Sequence, residues 1–221
     1  MHKKIGHRYD KLNFMNKKKI YCFDFDGTLT TSDTLIQFIK YAKGSWKLLL
    51  GFLLHAHWLV LMKLHLYPNW KAKQKIFAYF FAGMNIQDFS LLCQDFATAS
   101  QHLLRPAAIS LIKQIISEGA PIFVVSASID NWVRPFFSQR GWDSIEILGT
   151  LIEVKDGKVT GRFLTSNCYG PEKVNRIYFA LAENDSNYCR GQYFIEAFGD
   201  SRGDKEMLAF ADIGHYKPFR D

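Results

Sequence analysis

Cysteine is scarce and shows no pairing pattern. The 221 residues hold four, Cys22, Cys93, Cys168 and Cys189, and no two form a C-x-x-C pair. That spacing argues against a disulfide framework and a thiolate zinc site, so four free thiols in a reducing compartment are expected. The N-terminus lacks the apolar core of a secretory signal, and a cytoplasmic location is expected. Net charge is nearly missing from the body of the chain. Residues 1–19 carry Lys3, Lys4, Arg8, Lys11, Lys17, Lys18 and Lys19 against Asp10 alone, a local +6 of the +7 total. No nucleic-acid partner is therefore expected; the basicity belongs to an N-terminal tail, expected to be flexible over 1–16. Internal repeats and low-complexity segments are absent. The most apolar stretch, 48–62, is shorter than the ~20 residues of a membrane-spanning helix. It also contains His55 and His57, which are costly in hydrocarbon.

What is present is a globular composition, 48% apolar and 15% aromatic, enough for one domain with an insertion. The chemistry concentrates in Lys19-Ile-Tyr-Cys-Phe-Asp24-Phe-Asp26-Gly-Thr-Leu-Thr30. Residues 20–23 have high strand propensity, and positions two apart on a strand share a face. If the strand ends near Asp24, both carboxylates leave its carboxyl end, where open α/β sheets bind ligands. Two acids held that close repel and need a positive partner. The best suited is a hard divalent cation with oxygen ligands, Mg²⁺. The competing reading, an ordinary Asp26-Gly27 turn, leaves Asp24 unexplained inside an apolar run.

After Thr30 the pattern turns helical. Thr31-Ser-Asp-Thr offers N-cap residues, and helices are predicted over 35–42, 46–66, 70–81 and 86–103, with no strand among them. From Arg105-Pro106 an α/β alternation resumes. A helix over 107–118 precedes a buried strand over 121–125, then a helix over 130–139. Strands over 147–154 and 158–163 flank Asp156-Gly157 as a hairpin. A helix starts at Pro171, and a strand over 193–198, a helix over 205–210 and a short strand over 213–216 follow.

The block Asp24-Phe-Asp26-Gly-Thr-Leu-Thr30 resembles the first motif of the haloacid dehalogenase superfamily. Three further blocks match that family in order: Val124-Val-Ser126-Ala-Ser128, Gly170-Pro-Glu-Lys173-Val, and Phe198-Gly-Asp200-Ser-Arg-Gly-Asp204. The resemblance implies an α/β fold with a Rossmann-like parallel-sheet core over 17–30 and 104–221. An all-helical cap over 31–103 follows the first strand, as in the phosphoserine-phosphatase-like branch (subfamily IB). It implies Asp24 as nucleophile, forming an aspartyl-phosphate, and Asp26 as general acid and base. Ser126 and Lys173 would bind and bridge phosphate, and Phe25, Thr28 and Ala127 would lie against it. Asp24, Asp200, Asp204 and the carbonyl of Asp26 would hold Mg²⁺.

Each assignment has an ordinary competitor. Ser126 or Ser128 could cap the next helix, and Ser128 is not expected to act at the site. Lys173 could be a solvated surface lysine, and Asp204 a helix cap. Gly203 stands where phosphoserine phosphatases have Asn, and Ser126-Ala-Ser replaces their Ser-Gly-Gly. Phosphoserine is therefore not the expected substrate. His55, His57 and His65 have poor metal spacing, and Arg202 is expected to be solvated.

The expected activity is Mg²⁺-dependent hydrolysis of a phosphomonoester, either a small metabolite or a lipid phosphate. A phosphomutase and a non-catalytic phospho-ligand binder are the alternatives. The apolar run at 45–66 is read first as a buried cap helix. The second reading is an interfacial helix in peripheral contact with a bilayer, with Lys and Trp at its ends. That arrangement resembles the phosphatidylglycerophosphatase C type.

Overall fold

A computed structural model describes residues 17–185 and 187–220; the tail expected over 1–16 lies outside the described residues. Strand β1 (Lys18–Phe23) is short because Asp24 ends its apolar run. Side chains alternate across it. Ile20 and Cys22 pack with Val125, Ile177, Ile195 and Met207 on one face. Tyr21 and Phe23 pack with Ile112, Ile115, Val124 and Phe198 on the other. Burial on both faces suits a parallel sheet covered by helices. Strand β2 (Ile122–Ile129) flanks β1 on one side and is followed outward by β3 (Glu146–Thr150). On the other side lie β6 (Tyr193–Gly199) and β7 (Ile213–Tyr216), and all four pairings are parallel. This matches the Rossmann-like expectation.

The chain leaves this sheet after Thr30 and returns at Leu104. The two residues form an antiparallel bridge, and the Thr31 N–H donates to the Leu103 carbonyl (2.8 Å). Between them run five helices. These are α1 (Thr34–Lys43), α2 (Ser45–Leu54), α3 (Ala56–Lys63), α4 (Asn69–Phe81) and α5 (Ile86–Ala99). Phe38 of α1 is the hub of their core. Its ring lies 5.0 Å from Phe81, 5.2 Å from Phe96 and 5.0 Å from Trp132, centroid to centroid. Trp132 belongs to α7 (Asp130–Val133), so the insert is riveted to the sheet layer by stacked rings. Helix α6 (Pro106–Ser117) leads into β2 with proline in its first turn, where a missing N–H costs nothing.

Four expected element boundaries need correction. The single helix over 46–66 is two helices, α2 and α3, bent by 66° at His55. His55 leaves helical geometry (φ −102°, ψ 8°), and its Nδ1 lies 2.8 Å from the Gly51 carbonyl. The bend lets α2 and α3 both lie on α4. Gly51 sits so close to Phe80 that a Cβ there would stand 2.3 Å from its ring. Second, the helix over 130–139 is split into α7 and α8 (Pro135–Ser138), because proline cannot continue the helix before it. Third, the strand over 147–154 breaks at Leu151. Its first half is β3, and its second, β4 (Ile152–Lys155), pairs only with β5 (Lys158–Phe163). That hairpin is bonded to the insert: the Val159 N–H donates to the Met84 carbonyl (2.9 Å), the Gly83 N–H donates to the Val159 carbonyl (2.8 Å), and the Phe163 N–H donates to Gln74 (2.9 Å). Fourth, β2 does not stop at Val125 but continues, with a register shift, to Ile129.

The apolar run at 45–66 is not a buried helix. Trp46 is 78% exposed, Leu53 69% and Leu66 72%. No single helix among the described residues is long and apolar enough to cross a membrane; the bent α2–α3 pair is so only when its two helices are taken together.

Candidate active site

β1 releases Asp24 and Asp26 at its carboxyl end, and the chain turns at once. Gly27 makes the turn possible in two ways. Its φ of +80° suits glycine, and a Cβ there would lie 2.6 Å from Asp200 Oδ2. The carboxyl ends of β2 and β6 supply the other two sides.

Asp24 is buried, with its N–H on the Phe198 carbonyl (2.9 Å). Its Oδ1 accepts from Lys173 Nζ (2.6 Å) and its Oδ2 from the Thr28 hydroxyl (3.1 Å). Lys173 is in the first turn of α9 (Pro171–Asn184) and only 2% exposed, so it is no surface lysine. Its ammonium has three acceptors: Asp24, Asp204 Oδ1 (2.6 Å) and the Val125 carbonyl (2.7 Å). Burial works against its charge, but Asp24 and Asp204 outweigh it and raise its pKa. Burial pushes Asp24 up to about 7, with Lys173 opposing and Asp204 and Asp26 adding.

Asp204 is fully buried. Its Oδ2 accepts from the N–H groups of Asp200 (3.1 Å) and Ser201 (2.9 Å) and from the Ser201 hydroxyl (2.8 Å). Burial alone would raise it; Lys173 and these donors hold it below the usual carboxylate range. It therefore caps the loop that carries Asp200 and not the following helix, α10 (Lys205–Phe210). Asp200 Oδ1 accepts from the Thr28 hydroxyl (3.3 Å), and its Oδ2 is held by Arg220. Burial raises Asp200, with Arg220 opposing.

Asp24, Asp200 and Asp204 each offer an oxygen, all within 4.8 Å of one another. An all-oxygen, anionic donor set of this size fits a hard divalent cation. The Asp26 carboxylate is not in this group. Its Oδ1 accepts from the Thr34 N–H (2.7 Å) and hydroxyl (2.6 Å), and its Oδ2 from the Ser128 hydroxyl. Burial, then Asp33, raise its pKa, with Lys73 and the hydroxyls opposing. The two acids thus leave one strand for different surroundings: one faces an ammonium, the other three neutral donors.

Ser126 is buried in β2, and its hydroxyl accepts from the Ser128 N–H (3.0 Å), which is not a cap of α7. Ala127 is beside the cavity with its carbonyl on Lys73 Nζ (2.7 Å). Phe25 turns its ring inward against Phe136 and Phe137. The cavity, about 330 Å³, is floored by Asp24, Asp26, Lys173 and Asp204 and walled by Phe52, Leu59 and Met62 of the insert.

Four residues at the site escape sequence reasoning. Ser128 had a signal: it is two residues after Ser126 and shares its face once β2 continues. Thr34 was visible only as a helix-start residue. Its hydroxyl also accepts from Trp132 Nε1 (3.2 Å), which aims it at Asp26. Lys73 stands between Lys71 and Lys75, and nothing local distinguishes it. Arg220 lies beyond the last motif and reaches Asp200 because Phe219 stacks on Phe198.

The family described as haloacid dehalogenase-like hydrolase matches residues 22–209. Protein CicA of Caulobacter vibrioides is 32% identical over 206 residues, covering 91% of this chain and 86% of its own. Among solved structures, a protein of unknown function from Bordetella pertussis Tohama I aligns with a TM-score of 0.74. It is 18% identical over 87% of this chain and 86% of its own. A phosphoserine phosphatase solved as a phospho-aspartyl intermediate analogue aligns at 0.55, with 20% identity over 88% of this chain and 84% of its own. The match across most of the chain, with the acids and the lysine converging at the sheet's carboxyl edge, makes this protein a member of the haloacid dehalogenase-like hydrolase family.

Proposed function

We propose that the chain is a phosphatase that hydrolyses phosphomonoesters through a covalent phosphate on Asp24. The observation that carries this is the unequal treatment of two carboxylates from one strand end. Asp24 points at Lys173 and is open to the cavity. Asp26 is half-buried against Thr34 and Ser128, with its pKa raised. The phosphoserine phosphatases among the structural neighbours support the same chemistry.

In the reaction, a carboxylate oxygen of Asp24 attacks phosphorus, and the bond from phosphorus to the ester oxygen breaks. Asp26, its pKa raised first by burial, gives a proton to the departing alkoxide and is left as the carboxylate that Thr34 and Ser128 hold. It then takes a proton from water as that water attacks the phosphorus of the acyl phosphate. Inorganic phosphate leaves and the Asp24 carboxylate is restored. Lys173 holds the attacking carboxylate in place, and the neighbourhood of Ser126 and Ala127 orients the phosphoryl group. Asp24, Asp200, Asp204 and the carbonyl of Asp26 would hold Mg²⁺, which supplies charge neutralisation for the phosphoryl oxygens.

A lipid phosphate is the substrate reading favoured over a small soluble ester. Trp46, Leu49, Leu50, Leu53, Leu54 and Leu66 are exposed on α2–α3 and just beyond it. The inner side of the same two helices gives Phe52, Leu59 and Met62 to the cavity wall. No Asp or Glu occurs from Thr34 to Gln87, and seven lysines do. An apolar, acid-free, basic surface beside the cavity suits an anionic bilayer. The test is phosphate release from soluble monoesters and from a lipid phosphomonoester in vesicles, with Mg²⁺ or with EDTA. Release that depends on Mg²⁺ and favours the vesicles is expected. Preference for a soluble ester would remove the lipid reading, isomerised product without free phosphate would indicate a mutase, and inertness on all would remove the hydrolase.

Ser128→Ala removes one of three donors from Asp26. A hydrogen bond to a charged group contributes about 1.5–3 kcal/mol, so kcat should fall roughly 10- to 100-fold with KM little changed. An unchanged kcat in steady-state assays would show that Thr34 alone positions Asp26.

A further inference from the structure

Lys173 has no proton left to offer. An ammonium has three N–H donors, and those of Lys173 are matched by Asp24, Asp204 and the Val125 carbonyl. The lysine on the floor of the site is thereby committed to organising its carboxylates.

The cavity contains a second lysine, contributed by the insert. Lys73 of α4 belongs to the acid-free span from Thr34 to Gln87. Its companions face elsewhere: Lys43, Lys71 and Lys75 lie over the rings of Phe81, Trp70 and Trp58. Lys40, Lys47 and Lys63 are exposed. Lys73 alone of the seven lines the cavity, where its Nζ makes one hydrogen bond among the described residues, to the Ala127 carbonyl. Asp24, Asp26 and Asp33 act on it through space, yet none of them bonds it. An ammonium drawn out of water costs several kcal/mol unless a counter-charge meets it, and a neutral carbonyl is a weak substitute. Two of its N–H groups remain unassigned, a short reach from the Ser126–Ala127 segment.

We infer that Lys73 is a substrate-binding residue whose ammonium binds the anionic oxygens of the phosphoryl group being transferred, on the side away from Lys173. This rests on the phosphoester-hydrolase reading. A phosphoryl dianion over Asp24 supplies the directly bonded anion that Lys73 lacks, and it draws α4 and the rest of the insert toward the sheet edge. Substrate phosphate would thereby help to hold the insert over the site.

The probe is inorganic phosphate, measured with the full chain in Mg²⁺ both as a competitive inhibitor and by calorimetric titration, which needs no turnover. Lys73→Met is expected to weaken phosphate binding at least tenfold, the loss of about one charge-assisted hydrogen bond. Lys73→Gln keeps a donor for the Ala127 carbonyl without the charge, and it is expected to lose phosphate equally. Lys73→Arg should recover most of the affinity, and Lys71→Met, the exposed control, should change it less than about twofold. Wild-type phosphate affinity in a folded Lys73→Gln protein overturns the inference, whatever happens to kcat, because it would reduce Lys73 to a tie between insert and sheet. Failure of the parent reading looks different: the wild-type protein would then release no phosphate from any ester.

Discussion

Asp24→Asn should lower phosphate release by at least about 10³-fold, the scale seen when a catalytic nucleophile is removed. The argument is chemical before it is structural. An amide is isosteric with the carboxylate but does not attack phosphorus, so the loss falls on kcat and no choice of ester relieves it. The fold should tolerate the change, because Lys173 keeps Asp204 and the Val125 carbonyl as acceptors. Rapid acid quench with labelled substrate gives the second readout: wild-type protein should carry acid-stable label and the variant none. Asp26→Asn separates the two roles. It should cost roughly 10²- to 10⁴-fold with alkyl phosphates, the usual reach of general acid–base catalysis. The loss should be smaller in the first step with an aryl phosphate, whose leaving group needs no proton. Label would then accumulate on Asp24, because water attack still lacks its base. Full hydrolysis by Asp24→Asn would sink the covalent mechanism.

The second large effect is on stability. Lys173→Met leaves Asp24 and Asp204 buried with no ammonium between them. Breaking a buried pair in this way costs about 3–5 kcal/mol, a large fraction of a domain's margin. Urea denaturation in EDTA should show that shift in midpoint with little change in slope. The sign with pH follows from the same groups. In the wild-type protein Asp204 is held below its usual range, so its contribution is present above its unfolded pKa and lost as pH falls through the folded one. Without Lys173 both carboxyls are raised. A raised acid is fully compatible with the fold below its unfolded pKa, and its ionisation opposes folding as pH rises. The deficit of the variant should therefore be smallest in mild acid and grow towards neutral pH. Adding Asp24→Asn to Lys173→Met should return part of the loss, a coupling that a double-mutant cycle measures. Equal stability of the single variant and wild type at pH 8 would show that water reaches these carboxylates freely.

Much of the site was legible because its residues fall at strand ends. Asp24, Asp200 and Lys173 are each next to an apolar strand or a glycine-proline helix start, and such local patterns survive in sequence. The sheet was legible for the same reason, since buried parallel strands read as continuous apolar runs. What was hidden depends on contacts across the fold. The bend at His55 follows from α2 and α3 both having to lie on α4, and a uniformly apolar run carries no period to mark it. Ser128 acts only because β2 runs past Val125. Lys73 and Arg220 reach the site from separate elements, through packing that no local pattern encodes.

The central place of β1 has a consequence for how the protein is made. β1 pairs with β2, about a hundred residues further on, and with β6, nearly at the other end of the described chain. At about 5–20 residues per second on the ribosome, roughly ten to thirty-five seconds separate the synthesis of Asp24 from that of Phe198, whose carbonyl holds it. The helices of the insert need only local contacts and can form in that interval. Asp24 is thus synthesised well before the strand whose carbonyl sets it in place. Until β6 is made, Asp24 is an ordinary aspartate on a nascent segment, and the surroundings that bury it arrive with that strand.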